Sequence, residues 1–147
     1  MLNARCISVV AAALLSLIVS QANAGGAPAV PDGINLYYDV PTHVVYVQVG
    51  FPLADQEEHH CKLELQRRFR GKGWVAVAEG YADSGPSVGR CEAYGKFAIS
   101  SLRRMAKSRP LRIQGYVDGD MFYSRRLTRK MLRHPTEYMT PSYGPSG

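Results

Sequence analysis

The chain of 147 residues has three cysteines, a single tryptophan and, after its first 24 residues, no long apolar run. Three cysteines are too few for a disulfide-dense toxin scaffold. An integral membrane protein is not expected either, because a spanning helix needs about 20 consecutive apolar residues. Apolar residues make up 46% of the chain, which excludes collagen-like and wholly disordered classes. The length favours one domain.

Catalytic sequence motifs are also lacking. The chain contains no G-x-S-x-G, H-E-x-x-H, P-loop or G-x-G-x-x-G pattern. Only the run Glu57-Glu58-His59-His60 has the composition of a metal site. Adjacent residues of a strand point to opposite faces, so His59 and His60 share a metal only if the loop bends. The sequence therefore predicts no catalytic residue, metal or cofactor, and favours a binding role over an enzyme.

The first 24 residues have the three parts of a secretory signal peptide. Arg5 supplies the positive charge, residues 7–19 are almost wholly apolar, and Ala22-Asn23-Ala24 is a small-x-small cleavage site. We expect cleavage after Ala24 and export to the periplasm or the extracellular space. The alternative is an uncleaved membrane anchor, for which the apolar run is short.

Cleavage leaves two cysteines, Cys61 and Cys91. An even number of cysteines in an exported chain indicates a disulfide, because export takes the chain to an oxidising compartment. The alternatives are two buried thiols or one reactive nucleophile.

Alternating apolar and polar residues predict about seven short strands. The clearest runs are 43–51 and 61–70, in which every second residue is apolar over most of the length. Gly71-Lys72-Gly73 and Asp118-Gly119 are typical of tight hairpins, and residues 83–87 predict a turn. Helical spacing predicts one or two helical turns within 100–109, whereas 129–134 fits either a strand or a helix.

The spacing from Cys61 to Trp74 resembles the first half of the immunoglobulin pattern, in which a core tryptophan packs on an inter-sheet disulfide. In the second half, Gly89 stands where that family has a tyrosine, and Cys91 follows Trp74 after only 17 residues. The resemblance implies a sandwich with a bridged core, and Trp74 is expected in that core beside Cys61.

These patterns predict an all-β fold, an antiparallel β-sandwich that is immunoglobulin-like or related, with one intrachain disulfide and at most one short helix. The predicted organisation is a signal peptide at 1–24, a flexible lead-in at 25–33, the sandwich at 34–134 and a disordered Pro/Ser/Gly tail at 135–147.

Charge is distributed unevenly along the chain. Residues 25–60 contain five acidic and no basic residues, whereas residues 103–147 contain ten basic and three acidic ones. Eight of those ten are arginines, whose planar guanidinium suits carboxylate and phosphate. The predicted anion-binding residues are Arg103, Arg104, Arg112, Arg125, Arg126, Arg129, Lys130 and Arg133.

The sequence thus favours an exported binding or assembly module whose arginine-rich C-terminal third engages an anionic protein, glycan or lipid head group, rather than nucleic acid. A solvated basic face that maintains solubility is the competing interpretation. The alternative function is a small secreted metal-dependent or hydrolytic enzyme that uses the loop Glu57–His60.

Overall fold

Alternating burial along the chain produces two β-sheets packed face to face. The computed structural model describes residues 31–55, 57–79, 81–87 and 89–144, with the backbone alone for 79 and 81–87. The strands are β1 Gly33–Asp39, β2 Val44–Pro52, β3 Cys61–Phe69, β4 Gly73–Glu79, β5 Tyr81–Ser87, β6 Arg90–Ala98, β7 Leu111–Val117, β8 Asp120–Leu127 and β9 Thr140–Ser142. The helices are α1 Ile99–Ala106, α2 Arg129–Arg133 and α3 Pro135–Tyr138. The antiparallel-rich, sandwich-like fold predicted from the sequence is confirmed.

The strand order is β5-β6-β2-β1-β9 in one sheet and β4-β3-β7-β8 in the other. All neighbours are antiparallel except β1 and β9. The chain passes from an edge of the second sheet to an edge of the first between β4 and β5.

The core lies between the sheets and follows the period-two pattern. Val45, Val47, Val49 and Phe51 of β2 are at most 1% exposed, and their neighbours in sequence point away from the core. The facing strands approach closely where side chains are small. A Cβ at Gly115 would lie 2.8 Å from Cζ of Phe51, so this position has room only for glycine.

The predicted disulfide joins the two sheets. Cys61 opens β3 and Cys91 lies on β6 of the other sheet, with their Cα atoms 6.0 Å apart. That separation is ordinary for a disulfide.

The expectation that Trp74 lies in the core is wrong. Trp74 is only half-buried and pairs with the exposed Arg68, while the guanidinium carbon of Arg112 lies 4.4 Å from its ring centroid. It therefore lies on the outer face of its sheet. Phe51 takes the place that the immunoglobulin resemblance gives to tryptophan, because it is fully buried directly opposite Cys91.

Two local assignments need revision, and one open choice is decided. The residues read as a turn, 83–87, belong to β5. Of the two alternatives for 129–134, the structure has the helix, α2, whose Thr128 hydroxyl accepts a hydrogen bond from the Met131 amide. Beyond it, residues 135–142, assigned to a disordered tail, form α3 and β9. Pro135 and Met139 are buried there, which anchors the segment against the sandwich. The sequence predicts at most one short helix, whereas the described residues contain three.

The predicted signal peptide and residues 25–30 of the lead-in lie outside the described residues. Within the described part of the chain, no helix is long and apolar enough to cross a membrane.

Candidate anion-binding end of the sandwich

The antiparallel pairing of β3 with β7 separates charge between two ends of the molecule. Cys61 lies opposite Val117, and Arg67 lies opposite Leu111. A nine-residue strand is about 26 Å long at about 3.3 Å per residue, so the loops at its two ends are far apart. We call the end formed by the β2–β3 loop and the β7–β8 turn the acidic end. Its acidic residues are Asp55, Glu57, Glu58, Asp118 and Asp120.

The opposite end gathers the β3–β4 turn, the C-terminus of α1, the loop after it, and α2. We call it the basic end. Its basic residues are Arg67, Arg68, Arg70, Lys72, Arg103, Arg104, Lys107, Arg109, Arg126, Arg129, Lys130 and Arg133.

A row of adjoining cavities runs across the basic end. The first, of about 390 Å³, is lined by Arg68, Arg70 and Arg109. The second, of about 300 Å³, shares Arg109 with the first and adds Arg126 and Arg129. The third, of about 290 Å³, shares Arg129 with the second and adds Arg103, Lys107 and Arg133. Because neighbouring cavities share lining residues, they adjoin one another, and we call this row of arginine-lined cavities the basic groove.

Backbone carbonyls fix two of the groove's arginines. Arg129 donates from Nε to the Ala106 carbonyl at 2.9 Å and from Nη2 to the Lys107 carbonyl at 2.6 Å. Arg103 donates from Nε to the Leu132 carbonyl at 2.7 Å. These carbonyls carry only partial negative charge, so the guanidiniums are positioned but not neutralised.

Aromatic contact brings two further guanidiniums together at the same end. The guanidinium carbons of Arg67 and Arg109 lie 5.5 and 5.6 Å from the ring centroid of Phe69. Arg67 also donates from Nη2 to the Ser108 hydroxyl at 2.5 Å, while its buried Nε has no hydrogen-bond partner. Two cations held against one ring repel each other unless an anion lies nearby.

Carboxylates do not offset this charge. Among the described residues, no salt bridge joins an arginine of the basic end to Asp or Glu. The basic groove therefore presents net positive charge to whatever enters it.

The predicted anion-binding residues fall into three groups. Arg103, Arg126, Arg129 and Arg133 line the groove. Arg104 is exposed on α1 outside it, and the ammonium nitrogen of Lys130 lies 5.5 Å from the Tyr138 ring centroid.

The other two predicted residues make contacts within the fold. Arg112 donates from Nε to the Gln66 side-chain oxygen at 2.8 Å, on the outer sheet face beside Trp74. Arg125 donates from Nη1 to the Ile34 carbonyl at 2.7 Å, which links β8 to β1.

Four basic residues of the groove were missed from the predicted set: Arg68, Arg70, Lys107 and Arg109. Arg68 and Arg70 belong to a different part of the sequence and reach the groove only because β3 ends beside the start of β7. The Gly71-Lys72-Gly73 pattern predicts the turn beside these two arginines, but it does not predict which other segments of the chain lie next to that turn.

At the acidic end, two of the five carboxylates, those of Asp55 and Asp118, contact one histidine. His59 lies between two carboxylates, with Nδ1 2.5 Å from Asp118 Oδ2 and Nε2 2.7 Å from Asp55 Oδ1. Asp118 also accepts a hydrogen bond from the His60 amide at 2.8 Å. The contact with Asp118, followed by that with Asp55, raises the pKa of His59 to about 9, and the same contacts lower the pKa of both carboxyls.

The same contacts involve the loop Glu57–His60, which the sequence offers as the alternative metal or hydrolytic site. Both ring nitrogens of His59 are occupied by carboxylate contacts, and Cys61 is held in the disulfide. Within the described ranges, no three His, Cys, Asp or Glu residues are placed to hold a metal ion.

Comparison with known proteins gives no relative: no family model, curated protein or solved structure matches this chain.

Proposed function

We propose that this protein is an exported binding module that holds an anionic partner in its basic groove. The observation that carries the proposal is the groove itself, in which arginines from β3, α1, β8 and α2 converge without a carboxylate partner among the described residues. A guanidinium offers paired N–H groups to carboxylate, sulfate or phosphate, and such charge-assisted hydrogen bonds are stronger than neutral ones.

The chemistry of the groove fits an anionic protein, an anionic glycan or lipid head groups. Several anionic groups along one chain or surface suit a row of adjoining cavities better than a single small ion does. Export to the periplasm or the extracellular space is part of the proposal. It rests on the signal-peptide pattern of residues 1–24 and on the disulfide, which is stable in an oxidising compartment.

Retention on heparin and on phosphocellulose at low salt tests the proposal. The chain lacking residues 1–24 should bind both. A double variant, Arg109→Ser with Arg126→Ser, should elute at clearly lower salt. It removes two groove cations that, unlike Arg129 and Arg103, have no hydrogen bond to a backbone carbonyl among the described residues. We expect its affinity for heparin in solution to fall at least about tenfold, in line with charge-assisted hydrogen bonds.

The matched control is Lys96→Ser with Arg104→Ser, which removes the same charge from exposed positions outside the groove. It should elute close to the unchanged protein. Equal losses in the two variants would show that net charge, and not the groove, explains retention. Absence of retention at low salt would indicate that the basic end is a solvated surface and not a binding site.

A further inference from the structure

The acidic end carries charge that the fold itself does not use. Two of its five carboxylates contact His59. The other three, those of Glu57, Glu58 and Asp120, are exposed and form no salt bridge within the described ranges. These three carboxylates are therefore accessible to cations of another molecule.

Two large apolar side chains lie beside these carboxylates. Met121 and Phe122 directly follow Asp120 on β8 and are 67% and 50% exposed. The ring centroid of Phe122 lies 5.1 Å from that of Phe51, so one side of the exposed ring packs on the core. Adjacent exposed apolar side chains flanked by charge are typical of a protein contact. We call Glu57, Glu58, Asp120, Met121 and Phe122 the acidic patch.

The basic groove has the complementary composition. Between its basic residues, the cavities are lined by apolar ones: Phe69 and Pro110 in the first, Leu111 and Leu127 in the second, and Ala106 and Leu132 in the third. Guanidiniums without a carboxylate partner thus flank apolar surface. Such a groove can pair with carboxylates and receive an apolar side chain in the same contact.

We propose that the acidic patch of one copy of the chain docks in the basic groove of a second copy. This inference rests on the proposed function, because it names the anionic partner of the groove. Charge complementarity favours this occupant, since ends of opposite sign attract each other before contact. A glycan or a lipid head group would also satisfy the guanidiniums, but it would leave Met121 and Phe122 exposed.

The contact between copies is head-to-tail, because the patch and the groove lie at opposite ends of the sandwich. Each such contact leaves one patch and one groove unoccupied, so that further copies can add. A two-fold contact, by contrast, would use the same surface on both copies and stop at the dimer. We therefore expect oligomers that grow beyond the dimer as the protein concentration rises.

Sedimentation velocity over a concentration series, at about 0.1 M and about 1 M salt, tests the contact. The chain lacking residues 1–24 should associate at the lower salt and dissociate at the higher, where charges are screened within about 3 Å. Glu58→Gln with Asp120→Asn should raise the dissociation constant at least about tenfold, because it removes two carboxylates of the acidic patch. The control, Asp39→Asn with Glu137→Gln, removes the same charge from outside the patch and should not raise it. Thermal melts establish that both variants fold.

A mixing experiment tests the head-to-tail arrangement. The groove variant, Arg109→Ser with Arg126→Ser, keeps its acidic patch, whereas the patch variant, Glu58→Gln with Asp120→Asn, keeps its groove. Each should be monomeric alone at a concentration where the unchanged protein associates. An equimolar mixture should form a dimer and nothing larger, because the intact patch of one variant fits the intact groove of the other.

Heparin separates this inference from the proposed function. It should dissociate the oligomers, since it occupies the same groove. An unchanged protein that is retained on heparin but stays monomeric at about 100 µM, where micromolar contacts are formed, would overturn the contact between copies and leave the proposed function intact. A mixture that remains monomeric, or equal effects of the patch variant and its control, would also overturn the contact. Absence of heparin retention would overturn both proposals.

Discussion

The two ends of the sandwich carry opposite charges and use them differently. At the acidic end, His59 lies between Asp55 and Asp118, and nearby Arg90 lies 2.6 Å from Asp32. At the basic end, the fixed arginines bond to backbone carbonyls or lie against aromatic rings.

The difference matters because a salt bridge satisfies charge within the molecule, whereas a bond to a neutral carbonyl fixes a guanidinium and leaves its charge. At the acidic end, the charges of Asp55, His59 and Asp118 therefore hold the β2–β3 loop to the β7–β8 turn. At the basic end, the guanidinium charges are not neutralised in this way, so they produce a positive electrostatic potential at the surface. Charge sign alone does not distinguish a binding surface from a structural one; the partners of each charge do.

The largest effect expected from a change at either end, the core reference Phe51→Ala apart, tests the acidic end as a structural unit. Both sulfurs of the disulfide lie 3.9 Å from the His59 carbonyl oxygen, so the bridge lies directly beneath the acidic loop. Cys61→Ser should lower the free energy of unfolding by about 3–4 kcal/mol, as the chain-entropy model gives for a loop of this size. Cys91→Ser should cost the same, and the double variant should add little.

Urea denaturation measures these changes, and thiol titration of the denatured, unreduced protein should find no free thiol. If the comparison of the ends is right, single variants that remain folded should still bind heparin, because the bridge is remote from the basic groove. Two reactive thiols in the unchanged protein would contradict the prediction.

An intermediate effect concerns Trp74, which contacts Arg112 on the outer face near the basic end. Trp74→Ala should lower the free energy of unfolding by about 1–2 kcal/mol, which corresponds to a cation–π contact and partial burial. Phe51→Ala, at a fully buried position, should cost about 3–5 kcal/mol. Denaturant titration compares the two. Equal losses of unfolding free energy in the two variants would indicate that Trp74 lies in the core.

Local patterns were sufficient for much of the fold. The alternation in 43–51 and 61–70 identified β2 and β3, and Asp118-Gly119 identified the β7–β8 turn, where both residues have positive φ. These features depend on residues adjacent in sequence, so the sequence contains all the information that they need.

Features that depend on pairing between distant strands were not predictable. Arg125 and Arg126 are adjacent in sequence, yet Arg125 bonds to the Ile34 carbonyl while Arg126 lines the basic groove. Which of two neighbours faces which side depends on the register of β8 against β7. A bulge between Leu65 and Gln66 similarly shifts β4 against β3, so the side on which Trp74 lies could not be assigned from alternation alone.

The smallest expected effect concerns the pH dependence of the acidic end. The pKa of His59 is raised from 6.5 to about 9 in the folded protein. The stabilisation from its contacts with Asp55 and Asp118 is therefore complete below about pH 6.5 and is lost as the pH rises through about 9. Because the pKa of both carboxyls is lowered, the same contacts also weaken in acid, as the pH falls through their folded-state pKa values. The effect is small because these contacts lie near solvent.

Melting temperatures measured from pH 6 to about 10, across the unfolded and folded pKa values of the imidazole, test this assignment. The unchanged protein should lose stability relative to His59→Asn as the pH rises, since only the former releases a proton from the Asp55–His59–Asp118 cluster. His134→Asn, at an exposed position beside Glu137, is the control for loss of an imidazole elsewhere. It should follow the unchanged protein across the range. Parallel curves for all three would mean that His59 does not hold the acidic loop to the β7–β8 turn through charge.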